Sequence, residues 1–201
     1  MNARSFTWAA RLRGDARGQS ILEGAMVLPL LCLIIFGVTE LGVALRDQHS
    51  ISRLSREGSN LISRNVGLED AASALAEMRD GPIDFDTNSK LIFSVIKRGG
   101  SVGTPNYNKL VLYQRYEFGA ISASSRLQTR GAGAFDSTPD HTAQDSDDDT
   151  DLQLTNAPPN VATVIGGLAY VTEIITSHPL FTPLVRLGVQ VPQQLYSVAY
   201  F

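Results

Sequence analysis

Sixteen consecutive residues, Gly24 to Thr39, carry no charge, and the apolar run around them extends from Ile21 to Leu45. As α-helix those 25 residues would be about 37 Å long, enough to cross a hydrocarbon core of about 30 Å. A surface helix of a soluble protein keeps a polar side. This one is apolar all round for four turns. The segment therefore predicts a membrane span rather than a buried core helix. The 201-residue chain leaves room for one modest domain beyond it.

Charge is divided about this segment. Residues 1–18 hold Arg4, Arg11, Arg13 and Arg17 against Asp15, a net +3, while the rest of the chain has 13 basic and 19 acidic residues. A basic leader ahead of an acidic body suits an anionic cytoplasmic membrane face. It does not suit nucleic-acid binding, which needs a basic surface on the folded domain. Arg46, Arg53 and Arg56 follow the span closely, so the positive-inside contrast alone orients it weakly. The single cysteine, Cys32, lies inside the span and reads as an apolar filler; no intramolecular disulfide can form.

Several residues interrupt the run. Glu40 is expected at the outer boundary, where water reaches it. Glu23 stands near the helix start, where unpaired N–H groups and the dipole favour an acid. Pro29 removes one backbone hydrogen bond and is expected to kink the helix. Gly37 and Gly42 offer a smooth patch for the approach of another helix.

The residues Gly18-Gln19-Ser20-Ile21-Leu22-Glu23, then Val27-Leu28-Pro29-Leu30-Leu31 and Phe36-Gly37-Val38-Thr39-Glu40, resemble the TadE-like proteins of tight-adherence (Flp-type, type IVb) pilus systems. The resemblance is close over about 30 residues, and beyond them it is one of general layout. It implies a bitopic, pseudopilin-like subunit of the bacterial inner membrane, N-terminus cytoplasmic and C-terminal domain exported. Gly18 would precede the bond cut by a prepilin peptidase, with Gln19 the mature N-terminus and Glu23 the acid used in recognition or assembly. Glu23 could then pair with the amine of Gln19, on its own chain or a neighbour. The implied partners are other pilins or pseudopilins, pilus assembly platform proteins, the peptidase and membrane lipid. Gly24 departs from the group, which has a bulkier residue after the acid. Two other fates are open: an unprocessed anchor displaying a binding domain, or ordinary secretion after cleavage near Gly42-Val43-Ala44.

The pattern turns amphipathic after Leu45. Ile51, Leu54, Gly58, Leu61 and Ile62 recur at helical steps between Arg53, Arg56, Glu57 and Arg64. The boundaries predicted are a leader at 1–18, a transmembrane helix at 19–45, an amphipathic helical extension at 46–80 and an exported domain at 81–201. Within the extension, Arg46–Arg64 continues the first helix, Gly67 breaks it, and Leu68–Arg79 forms a second piece that Gly81-Pro82 stops. Lys90–Lys97 and Lys109–Phe118 read as a long-looped hairpin, with further strands in Val161–Thr176 and Leu195–Phe201. His178-Pro179 and Pro183 suggest a loop. The fold class expected is α+β, a long helix laid on a small antiparallel sheet.

Asp136–Asp151 holds seven Asp and no Lys or Arg. It reads as a flexible acidic loop spanning about 131–158. Asp145, Asp147 and Asp149 alternate as at the start of a calcium loop, but the turn glycine and the closing glutamate are missing, so they are a weak metal candidate. No catalytic residue is assigned. His49, His141 and His178 lie in separate segments, and no G-x-S-x-G, phosphate-binding loop or Cys–His arrangement occurs. No cofactor is expected.

Overall fold

The computed structural model describes residues 16–78, 83–137, 139–158, 160–162, 164–178 and 193–201, with backbone alone for 16–20. The leader through Asp15, the stop at Gly81-Pro82 and the loop at Pro179 and Pro183 lie outside the described residues. The chain divides into two compact units, one holding its first residues through Gly42, the other beginning at Val43.

Helix α1 runs from Ala16 to Ser63 and contains Pro29. It ends in a pattern that satisfies its last carbonyls. Asn65 takes a left-handed φ of 64°; its N–H donates to Ile62 O, and that of Val66 donates to Leu61 O. These two bonds form a Schellman motif, which needs a positive φ at the residue after the cap. Asn tolerates that conformation better than most residues. The break therefore falls at Asn65, not at Gly67, which sits extended (φ −55°, ψ 146°) and opens helix α2, Leu68–Glu77.

Four antiparallel strands follow: β1 Ser89–Arg98, β2 Leu110–Gly119, β3 Leu168–Ser177 and β4 Gln194–Tyr200. They lie in the order β2-β1-β3-β4. The expected hairpin is present, with Phe93 opposite Tyr116 and a bulge between Val95 and Ile96. β1 is central, and six successive residues from Leu91 to Ile96 are buried, because both faces of the sheet are covered. The chain is thus α+β, as the apolar periodicities imply.

On one face α1 and α2 pack against the sheet through Ile51, Leu54, Ile62, Leu75, Phe93 and Ile174. Gln48 Nε2 donates to Tyr196 O (3.1 Å), Ser55 Oγ lies 2.8 Å from Ser197 Oγ, and Ser59 Oγ lies 2.9 Å from Ala199 O. α1 therefore runs alongside β4 in the same direction. Small residues make this approach close. A Cβ added at Gly58 would meet Thr172 Cγ2 at 2.8 Å and Leu75 Cδ1 at 2.9 Å. Gly58→Val is expected to lift the helix from the sheet and cost about 1–3 kcal/mol, read as a lower denaturation midpoint. An unchanged midpoint would show that the helix does not sit this close.

The other face is covered by irregular chain. Ile96, Ala169 and Val171 of the strands meet Leu127 and Val161 of that cover. A third cluster, Val111, Ala143 and Leu152 with Phe135, lies beneath the acidic insertion.

That insertion, flexible by composition, has a defined path here. Leu154 N–H donates to Leu110 O (2.9 Å), Ala143 N–H to Tyr113 O (2.7 Å) and Arg115 N–H to His141 O (3.2 Å). These bonds cover the outer edge of β2, which would otherwise be open for pairing with another chain. Its anchor is Asn106 in the β1–β2 loop, fully buried. Asn106 Nδ2 donates to Ser146 O (3.0 Å) and Asp149 O (2.7 Å), and its Oδ1 accepts from Gln153 Nε2 (2.7 Å). A short 3-10 turn, Thr150–Leu152, sends Leu152 into the core.

Candidate functional site

The unit that begins the chain is where the sequence places function. An 18-residue window within Ile21–Ser63 reaches a mean hydropathy of 2.4 with none of it buried. A core helix of a soluble domain would be covered, because apolar side chains leave water on folding. Here Ile21, Met26, Leu28, Ile34 and Val38 are all exposed. A helix of this length and composition is apolar and long enough to cross a membrane, which suggests a single-pass anchor near the N-terminus.

Among the residues singled out from sequence, Gly18 and Gln19 lie within the α1 backbone, so the bond between them is in the first turn of the helix. Glu23 is exposed one turn further on. Gly24, Gly37 and Gly42 would each accept a methyl group with nothing within 4 Å. Contacts inside the described chain do not demand glycine at these positions, so any tight fit they serve is with another molecule. Pro29 is accommodated inside the helix. Glu40 departs from expectation: its side chain is only 3% exposed rather than at the water's edge. Glu40 is not without a partner, and an acid is buried at tolerable cost only when it is paired or hydrogen-bonded.

The unit beginning at Val43 gathers polar groups that the sequence pattern does not mark. Glu173, in the middle of β3, is fully buried. Its carboxylate accepts from the Ser125 hydroxyl, from Arg126 N–H (2.8 Å) and from Tyr196 OH (2.7 Å). Arg115 donates to Ser125 Oγ (3.1 Å) and Leu127 O (3.2 Å), linking the guanidinium to Glu173 through the serine. Burial lowers the Arg115 pKa, and the field of Glu173 opposes that shift. Burial and the hydrogen bond to Glu173 push the Tyr196 phenol well above its usual range, so it stays a donor. The guanidinium of Arg126 covers the Tyr196 ring at 3.7 Å. This network fastens the strap of residues 125–127 across the sheet. A lone acid amid Val171, Ile174 and Ile175 was the only sequence signal for it.

Two further ties involve histidine. His178 Nδ1 lies 2.9 Å from Asp47 Oδ2, both buried, which joins α1 to the end of β3. His141 Nε2 lies 3.0 Å from Glu69 Oε1 and its ring stacks on Tyr116, so α2 is tied to the insertion.

The alternating aspartates have local work. Asp145 Oδ1 accepts from Asp148 N–H and Asp149 Oδ1 from Asp151 N–H. Asp147 faces Ser101 Oγ (2.6 Å) and Lys97 Nζ (3.5 Å). The Ser101 hydrogen bond chiefly, with Lys97, holds the Asp147 carboxyl below its usual range. Its contribution to stability is therefore present above the unfolded pKa and lost as pH falls through the folded one. Among the described residues no group of three or more His, Cys, Asp or Glu is placed to hold a metal ion. A cavity of about 380 Å³ is lined by Val66, Gly67, Val95, Gln114 and Tyr170 with one acid, Asp140.

No curated protein and no solved structure matches the chain. A family model described as TadE-like protein matches residues 18–60, the stretch that begins at the Gly18–Gln19 bond and covers nearly all of α1. Over that helix, about a fifth of its length, the chain is similar to TadE-like proteins.

Proposed function

We propose that the chain is a minor pseudopilin-like component of a tight-adherence pilus system, needed for pilus biogenesis or adherence and acting without catalysis. The observation that carries this reading is the bare apolar helix coinciding with the TadE-like match. Residues 21–45 hold the subunit in the inner membrane, with the leader in the cytoplasm and the α+β domain on the far side. A prepilin peptidase cuts between Gly18 and Gln19. The new amine at Gln19 and the carboxylate of Glu23 then lie within one helical turn, where low dielectric favours their pairing within or between subunits. Pro29, Gly37 and Gly42 shape the face that meets other pilins and the assembly platform.

Two measurements test this. Mass determination of the mature N-terminus should find Gln19; an intact Met1 would favour an unprocessed anchor displaying a binding domain, and a start near Leu45 would mean plain secretion. Glu23→Ala should leave membrane insertion unchanged and reduce surface pili at least tenfold, since it removes a paired charge in low dielectric. Normal piliation in that variant would refute the role given to Glu23.

A further inference from the structure

Just beyond the apolar run, α1 carries a basic face. Arg46, His49, Arg53 and Arg56 are exposed; at 100° per residue they fall within an arc of about 80°. The buried Ile51, Leu54, Gly58 and Ile62 centre about 180° away, against the sheet. The arginines make no ion pair within the described residues. The two acids of this stretch do not cancel them: Asp47 is buried against His178, and Glu57 is half-buried.

The same domain bears the opposite charge elsewhere. Asp136, Asp140, Asp145, Asp148 and Asp151 are exposed on the insertion, with no Lys or Arg among residues 136–151. The insertion covers β2, at one edge of the sheet, whereas α1 runs alongside β4, at the other. The two surfaces therefore do not compete, and neither can reach the other within one copy.

We propose that the arginine face of α1, Arg46 to Arg56, docks the Asp-rich insertion of a second copy of this chain, so that the domains associate head to tail. Complementary charge selects this partner. Because the two patches differ, the contact is heterologous, and repetition gives a ring or an open row rather than a closed dimer. Exposed ion pairs are individually weak, so the contact sets register between copies already held close by their anchors. It goes beyond the pilus reading and stands apart from it, since it can be measured in micelles whatever assembly the chain serves.

The test uses the full chain in micelles of an uncharged detergent, with self-association read by sedimentation velocity. One variant reverses the helix face (Arg46→Glu, Arg53→Glu, Arg56→Glu). A second reverses the insertion at positions whose carboxylates make no described hydrogen bond (Asp136→Lys, Asp140→Lys, Asp148→Lys). A third combines both. Each single-surface reversal should lower the association constant roughly tenfold or more, and the combined variant should recover it to within about threefold. The parent's association should also fall between about 0.05 M and about 0.5 M salt. Should either reversed chain lose its cooperative melt, the neutral versions (Arg→Gln, Asp→Asn) replace it, with a smaller loss expected. Unchanged association in the single-surface variants, or no recovery in the combined one, overturns the proposal. So does a helix-face variant that leaves phosphatidylglycerol vesicles while associating with itself as before, since the face would then belong to lipid.

Discussion

Deleting residues 136–151 is expected to abolish cooperative unfolding of the α+β domain, although composition alone reads them as a flexible loop. The deletion removes Ala143 from the small core it shares with Val111 and Leu152. It also strips the outer edge of β2 of the bonds to Ala143 N–H and His141 O. Asn106, fully buried, loses the carbonyls of Ser146 and Asp149. Stranding that amide costs about 1–3 kcal/mol, and exposing Val111 and Leu152 costs about 1.5–3 kcal/mol each. Together these approach the whole stability of a small domain, about 5–15 kcal/mol. A bare β2 edge adds a route to aggregation. Circular dichroism melts of the deleted chain should show no sharp transition, whereas Asp136→Asn with Asp148→Asn should melt like the parent. A deleted chain that melts as sharply as the parent would show the insertion to be a passenger.

The second large effect is expected at Glu173. Glu173→Ala takes from the half-buried Arg115 the stronger of its two neighbouring negative charges, leaving Glu117, and removes the acceptor shared by Ser125, Arg126 N–H and Tyr196. Each donor left without its acceptor costs about 1–3 kcal/mol where it is kept from water. Chemical denaturation should register that loss. Adding Arg115→Met should recover part of it, because it removes the charge that Glu173 no longer offsets. If Glu173→Ala and the double variant were equally destabilised, the network would be acting through packing, not charge. The strap at residues 125–127 should become accessible to protease in the single variant, since Glu173 is what ties it to β3.

What could be read from the residues and what could not divides along range of interaction. The membrane-length helix, its amphipathic continuation and all four strands follow from local periodicity, as in the buried run Leu91–Ile96 and the α1 stripe Ile51, Leu54, Ile62. The helix break was one feature away: Gly67 attracted attention, but the left-handed residue is Asn65, and the choice depends on which carbonyls need partners. The acidic insertion misled because seven Asp dominate its composition, while its hold on the fold comes from Ala143, Leu152 and the distant Asn106. Glu173 was silent for the same reason, as Ser125, Arg126 and Tyr196 reach it from 48, 47 and 23 residues away. The pilin-like residues Gly18, Gln19 and Glu23 were legible as a motif. The role proposed for them lies in contacts with other molecules, and the folded chain offers only their placement on α1.

In the proposed topology residues 21–45 span a membrane and leave the domain from Arg46 onward on its outer side. The direct measurement is carbonate extraction of cell membranes, paired with protease treatment of spheroplasts. The chain should stay in the membrane pellet, and its C-terminal domain should be digested from outside. Recovery of the full-length chain in the soluble fraction, or a domain shielded until the membrane is lysed, would contradict it.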